Sequence, residues 1–501
     1  MINKKKYTIV VNLPGGIVAT GYLLTALQAL AKAGIQEVQL GTRQQLFVKV
    51  NAQQLTLLET ELRSHYIAFE LIEKSSPNIV SSYVNEGVFE NSNWLSEGVY
   101  KDVLNLFDFT PQLKINLVDN TQTFVPYFTG NLNFIASKIN NYWYLYLRYP
   151  QTNQLYLWPV LIYTTDIPLL SKQIEPILQN MSLLTHHLSA DWGTLVYKQV
   201  SLLATFITHP ITEALHVPTF MMPYYEGFNR YGNKSWLGIY RRDEVFSVAF
   251  LLDVCSVCIQ TKIGQLYTTP WKSIVIKGIE NADRKLWDYV LSKHRINVRH
   301  AANELNWQIE DLCSDGLNLK RFLIRQFDKE DVRTFGLCFA VKTMPNSSIW
   351  GSVIIEKKNT DHLAQRKSVD KYDIWYTQDF NPNSKEYVLF RSDVAKENIA
   401  TYLISLCKYF YELKNDEEGI LHRIYREDTP TAANTSKEPP THFVHQCKHC
   451  FTIYDCDLGD AGNGIPPGTD FSQLPEHYTC NTCEAPKQDY VMVIKKTAAV
   501  L

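Results

Sequence analysis

The sequence predicts an α+β protein: a body built from a duplicated unit, followed by a small metal-binding domain. Three observations predict it. A strand, helix, hairpin, helix order occurs twice; a Thr/Pro/Ser/Asn-rich stretch then ends the apolar periodicity; and two CxxC pairs, Cys447/Cys450 and Cys480/Cys483, follow that stretch.

The first copy opens on the apolar run Tyr7–Val11, read as a strand. Thr20–Ala33 carries apolar residues at helical spacing and is closed by Gly34. Val38–Leu40 and Leu46–Val50 alternate like a hairpin about the turn Gly41-Thr42-Arg43-Gln44, and a second helix is expected at Ala52–His65. The order returns at Trp236–Tyr240, a helix at Arg242–Val257, a hairpin within Gly264–Ile279 and a helix at Asp283–His294. Thr42 and Thr269, each heading an apolar strand, set the repeat at 227 residues (269 − 42 = 227).

Each copy leads into a longer α/β segment. After the first, strands are expected at Asn78–Val80, Leu113–Val118, Phe134–Ala136 and Tyr142–Arg148, with a helix near Tyr100–Phe107. After the second, Asn297–Val298, Phe335–Val341 and Ser352–Ile355 take similar places, with a helix near Val394–Leu413. The correspondence between these two segments is loose.

At 501 residues the chain is too long for a single core, and several domains are expected. Its 49 basic and 51 acidic residues leave no basic surplus to neutralise phosphates, which argues against a nucleic-acid partner. No stretch reaches the roughly 18 uninterrupted apolar residues of a membrane helix, and no signal-peptide core fits the start, so no membrane partner is expected. Ten cysteines, four of them in a metal arrangement, suit a reducing cytoplasm.

Two CxxC turns facing each other make a tetrahedral cage of four thiolates, suited to zinc or iron. The 29 residues between the pairs include Tyr454-Asp455-Cys456-Asp457, Gly464-Ile465-Pro466-Pro467-Gly468-Thr469 and Phe471-Ser472-Gln473-Leu474-Pro475. In these residues the segment resembles rubredoxin along nearly its whole length. The resemblance implies one mononuclear iron held by Cys447, Cys450, Cys480 and Cys483. It also implies amide hydrogen bonds to the sulfurs, and aromatic packing by Tyr454, Phe471, Tyr478 and Tyr490. Phe451 and Glu484 stand where a glycine usually follows the second cysteine of each pair, and Asn481 replaces a proline. A zinc ribbon is the competing reading of the same cysteines, and Cys456 is read as a bystander. Between His442 and Ile494 seven acidic residues face Lys448 and Lys487, a net of −5 (2 − 7 = −5), which would steer the domain to a basic patch on a redox partner.

Leu13-Pro14-Gly15-Gly16-Ile17, Gly41-Thr42-Arg43-Gln44, Asn78-Ile79-Val80, Pro111-Gln112-Leu113-Lys114 and Thr269-Pro270-Trp271-Lys272 give the body a resemblance to the sirohaem nitrite and sulfite reductases, whose ferredoxin-like halves are duplicated. That resemblance implies ferredoxin-like half domains at 7–75 and 230–295, and reductase-like α/β domains at 76–225 and 296–426. A linker at 427–441 and a rubredoxin domain at 442–495 complete the chain. Of the four basic residues that grip the oxyanion in that family, Arg43 and Lys114 match two, while Pro77 and Gln112 occupy the others. Cys313, Cys338 and Cys407 fit neither cluster-ligand spacing, and Cys255 and Cys258 read as core, so no four-iron cluster and no catalytic residue are expected. Arg43 and Lys114 are the candidate anion- or tetrapyrrole-binding residues, with Arg148, Lys272 and Arg241-Arg242 as further cations.

The chain is therefore expected to be an electron-transfer component serving nitrite or sulfite assimilation. Its expected partners are a reductase as donor and an assimilatory reductase as acceptor. The alternative is a redox enzyme whose body binds sirohaem or another tetrapyrrole and draws electrons from the fused rubredoxin.

Overall fold

In the computed structural model, residues 6–89, 94–184, 191–344, 347, 349–358, 370–384, 386–427, 443–450 and 452–494 are described. The expected linker lies outside them from residue 428 onward. The chain divides into two compact units, Met1–Gly227 with Tyr231–Lys414 and Phe228–Arg230 with Asn415–Leu501.

The larger unit begins with β1 (Lys6–Asn12), β2 (Ile17–Ala19), α1 (Thr20–Lys32), β3 (Glu37–Leu40), β4 (Gln45–Asn51), α2 (Ala52–Ser64) and β5 (Glu70–Leu71). Leu23, Ala26, Leu27 and Leu30 form the buried stripe of α1. Asn51 caps α2 by accepting from the Gln54 amide, and the Gln54 side chain returns the bond to the Asn51 N–H. β1 and β4 pair antiparallel along their full length.

The α/β segment that follows contains β6 (Val80–Ser81), α3 (Glu97–Asn105), β7 (Ile115–Val118), β8 (Leu132–Ala136), β9 (Tyr142–Arg148), β10 (Leu155–Leu157), β11 (Val160–Tyr163), α4 (Ile167–Leu184), α5 (Trp192–Leu203) and β12 (Thr208–Pro210). β6, β7 and β8 run parallel, and β8 turns antiparallel to β9. Every residue of β7 and β8 is buried, the pattern of strands covered on both faces.

The second copy comprises β13 (Lys234–Ile239), β14 (Val245–Ser247), α6 (Val248–Gln260), β15 (Gln265–Thr268), β16 (Ile274–Glu280) and α7 (Arg284–Lys293). Here α6 starts at Val248, not at Arg242 as the apolar spacing suggests. Glu244 takes a left-handed turn at φ 58°, and Ser247 caps the helix by accepting from Phe250 N. The residues between them form β14, which pairs with β3 of the first copy. Reciprocally, β2 of the first copy pairs with β15 of the second. Each half thus completes the other's sheet, and α1 packs on α6 between them.

Equivalent positions in the two halves are 228 residues apart: Thr20 and Val248 open the helices, and Gln44 and Lys272 both hold positive φ (272 − 44 = 228). The partner of Thr269 is therefore Gly41 and not Thr42, since Gln44 N bonds to Gly41 O as Lys272 N bonds to Thr269 O.

The last quarter of this unit has α8 (Ala302–Leu305), β17 (Trp307–Ile309), α9 (Ser314–Lys329), β18 (Phe339–Lys342), β19 (Val353–Lys357), β20 (Lys371–Thr377), β21 (Tyr387–Ala395) and the first part of α10 (Ile399–Glu427), whose residues from Asn415 are counted in the smaller unit. β17, β18 and β19 run parallel, and β20 turns antiparallel. This repeats the sense of β6 to β9. The strand expected at Asn297–Val298 is not formed; His300 just after it is tied down instead, its N–H 2.6 Å and its Nδ1 2.7 Å from the Glu226 carboxylate. Trp307–Ile309 takes the place of that strand. One core joins the first α/β segment to Trp236, Trp271 and Trp350, with the Trp271 indole donating to Phe124 O at 2.8 Å.

The smaller unit contains β22 (Phe443–Cys447), β23 (Ile453–Tyr454) and β24 (Tyr490–Ile494), in the order β23, β22, β24. Tyr454, Leu474, Tyr478 and Tyr490 fill its core.

Candidate metal centre and body cavity

β22 delivers Cys447 at its last residue, opposite Tyr490 of β24. The chain then turns so that Cys447 N donates to Thr452 O at 2.9 Å, and the second pair repeats the turn with Cys480 N donating to Ala485 O at 2.8 Å. Both bonds span five residues, so the two loops are copies of one turn. Glu484 follows the second pair at φ 61°, the left-handed conformation expected of the glycine it replaces. Phe451, the other replacement, lies outside the described residues.

The loops bring the sulfurs of Cys447, Cys450, Cys480 and Cys483 within 4.8 Å of one another. Cys447 and Cys483 are 3.6 Å apart, and Cys450 and Cys480 3.4 Å. A tetrahedron with metal–sulfur bonds of about 2.3 Å has edges of about 3.8 Å, so four thiolates set this way fit one ion. The contact between the two sulfurs draws the Cys480 thiol down and pushes the Cys450 thiol up.

Around the cage, Phe471 packs against Tyr454, Tyr478 and Tyr490, as the sequence predicts. The Tyr454 hydroxyl donates to Thr469 O and that of Tyr478 to Asp460, so each buried phenol has a partner. His445 stacks on Phe471 with ring centres 4.0 Å apart, and His449 reaches Asp489 at 2.8 Å. Cys456 groups with Asp455 and Asp457 outside the cage.

Sequence reasoning missed the polar link between the two loops. Thr452 Oγ1 lies 3.1 Å from the Cys450 sulfur and 2.8 Å from Thr482 Oγ1. The only signal for it is a hydroxyl residue placed near each cysteine pair.

In the larger unit a cavity of about 750 Å³ brings together Arg43, Pro77, Gln112 and Lys114, the four positions the reductase resemblance marks. Its wall also carries Glu310 and Asp311. The Arg43 guanidinium is engaged: Nε and Nη2 donate to Asn78 O, Nη2 also to Ile115 O, and Nη1 to Asn116. Burial lowers Arg43 to about 9, and burial together with Arg43 and Arg148 lowers Lys114 to about 8.

Of the other cations named from the sequence, Arg148 donates to the carbonyls of Gly130, Thr129 and Thr152. Lys272 is buried between Glu244 at 2.7 Å and Asp311 at 3.5 Å, and Arg242 pairs with Glu304. Cys255 and Cys258 are fully buried in α6, Cys313 caps α9 by accepting from Gly316 N, and Cys338 accepts from Ser352 N.

A cage of four thiolates on two matched turns, packed against aromatic rings, defines a small metal-thiolate protein of the electron-carrier type. The family model for rubredoxin matches residues 444–490. The chain belongs to the rubredoxin family through this domain. It is 42% identical over 48 residues to the probable rubredoxin HupI of Bradyrhizobium diazoefficiens, covering 10% of this chain and 70% of that protein. With Rubredoxin 4 of Rhodococcus sp. it shares 40% identity over 50 residues, 10% of this chain and 83% of that one. The chain spans only 18% to 34% of the length of several longer rubredoxins that it matches. Over 80% of both chains the fold follows the solved structure of the Mycobacterium tuberculosis NirA protein, with a TM-score of 0.60 and 13% identity.

Proposed function

We infer that this protein is an electron carrier with one mononuclear four-thiolate iron centre, serving nitrite or sulfite assimilation. The observation that carries the reading is the ion-sized cage of Cys447, Cys450, Cys480 and Cys483 within a rubredoxin domain. Iron in such a cage cycles between ferric and ferrous states with little change of shape, which suits single-electron transfer. The link to assimilation is supported by the body's fold and by the cavity that gathers Arg43 and Lys114. A reductase would supply the electrons and an assimilatory reductase would take them, in the cytoplasm. No helix among the described residues is long and apolar enough to cross a membrane.

The second reading, an enzyme whose body holds sirohaem, rests on the same cavity. Its lining does not fit a tetrapyrrole with many carboxylates: Asn78, Ile115 and Asn116 take four of the five Arg43 donors, and Glu310 and Asp311 add negative charge.

Absorption spectroscopy with metal analysis of the full chain tests both readings. One iron per chain, with a visible spectrum that dithionite bleaches, is expected. Fully loaded protein holding only zinc overturns the carrier, and a Soret band favours the enzyme, with its loss in Arg43→Ala locating the site.

A further inference from the structure

Asn481 stands at the site where the family carries a proline, and its side-chain amide is anchored on both sides. The Asp460 carboxylate, 4% exposed, accepts from Asn481 Nδ2 at 3.0 Å, from the Tyr478 hydroxyl at 2.9 Å and from Asn463 Nδ2 at 3.0 Å. A carboxylate only accepts, so the amide is held with its nitrogen toward Asp460 and its oxygen turned the other way. That oxygen lies 3.2 Å from Thr482 Oγ1, which lies 2.8 Å from Thr452 Oγ1. Thr452 Oγ1 in turn lies 3.1 Å from the Cys450 sulfur. A proline at position 481 has no side-chain amide to begin this chain.

The count of protons then sets the direction of the chain. An amide oxygen carries no hydrogen, so Thr482 gives its one hydroxyl proton to Asn481. Thr482 can then only accept across the 2.8 Å gap, and Thr452 gives its proton to Thr482. Reversing the chain would leave the Asn481 oxygen without a donor, and the amide cannot turn over to offer its nitrogen because Asp460 holds it. A cysteine that ligates a metal ion has lost its own proton. The Cys450 sulfur therefore faces the lone pairs of a hydroxyl oxygen 3.1 Å away, with no proton between them.

We propose that Asn481 turns the Thr452 hydroxyl away from the Cys450 sulfur and thereby lowers the reduction potential of the metal centre. The inference rests on the reading that the cage carries iron. With iron, reduction adds one electron and hence negative charge to the thiolates. An oxygen lone pair facing a sulfur disfavours that added charge, whereas a hydroxyl donor in the same place would stabilise it. Released from Asn481, the chain reverses and supplies that donor, because a charged sulfur draws the Thr452 proton. Asn481 touches neither the metal nor a ligand; it acts through Thr482 and Thr452 and is a positioning residue.

The test is redox titration of the full chain, stripped of its native metal and reloaded with iron. In Asn481→Ala the potential is expected to rise. At fixed ambient potential the reduced-to-oxidised ratio grows by up to about tenfold, which for one electron corresponds to 59 mV. Thr482→Val, which takes away the acceptor of the Thr452 proton, raises the potential as well. In a Thr452→Val background no hydroxyl remains to turn, so adding Asn481→Ala leaves the potential where it was. Asn481→Pro repeats the measurement if alanine prevents iron loading. A potential in Asn481→Ala or Asn481→Pro equal to or below wild type overturns the proposal, and so does a rise of the same size in the Thr452→Val background. Because the iron is supplied in vitro, native protein that holds only zinc sinks the carrier reading while this titration still decides the role of Asn481.

Discussion

Lys320 shows what burial does to a single residue in this body. It is 2% exposed, and its ammonium donates to the Tyr240 hydroxyl at 2.6 Å and lies 5.0 Å from that ring. Burial lowers its pKa to about 8, against the pull of Glu244 in the other direction. Between about pH 8 and 10 the unfolded chain holds a proton on Lys320 that the folded chain has released, so this residue's contribution to stability rises with pH across that window. Thermal unfolding of the wild type and of Lys320→Met from pH 7.5 to 9.5 is expected to show the slope of stability against pH shifted downward in the variant. An unchanged slope in the variant refutes the assignment. The four cysteines were legible at this scale because ligand spacing is local to each turn. The Thr452–Thr482 pair was not, since it joins residues whose approach depends on how two loops are set against each other.

At the scale of elements, helices and hairpins could be read from their periodicity, and the exchange of strands could not. Ile17–Ala19 and Val245–Ser247 are three residues each, too short to show alternation, and their partners lie in the opposite half of the duplication. The turn before each exchanged strand is built differently. Gly16 holds φ 73° beside Gln44, whose amide donates to Thr268 O at 2.9 Å. At the equivalent place Glu244 pairs with Lys272, the counterpart of Gln44. A Cβ on Gly16 would stand 2.3 Å from Gln44 Nε2 and 2.7 Å from Thr268 O, in a conformation that disfavours any side chain. Gly16→Ala is expected to destabilise the body by about 2 kcal/mol or more in chemical unfolding. A loss under about 0.5 kcal/mol would show that the exchanged strand is not locked there. The looser match between the α/β segments has a similar cause, because β17 forms at Trp307–Ile309, beyond the Asn297–Val298 stretch that sequence order suggested.

For the molecule as a whole, charge separates the carrier from the rest. The chain carries 49 basic and 51 acidic residues and is nearly neutral, whereas residues 442–494 hold seven acids against two lysines. A four-thiolate iron site adds further negative charge close to the surface, since Cys450 and Cys483 are only partly buried. A positive electron acceptor is drawn to this domain and a negative one repelled, over a Debye length of about 30 Å at 0.01 M salt and about 10 Å at 0.1 M. Stopped-flow oxidation of the reduced, iron-loaded chain by a cationic cobalt hexaammine complex is therefore expected to slow as salt rises over that range. Oxidation by ferricyanide should quicken over the same range, and the two salt slopes should have opposite signs. Neutralising Asp457 and Asp489 together, as Asp457→Asn and Asp489→Asn, should reduce both slopes while leaving the visible spectrum in place. Slopes of the same sign for the two oxidants would mean that electrons leave by a face this charge does not govern, and a basic patch on the partner would then not be the surface to which the domain docks.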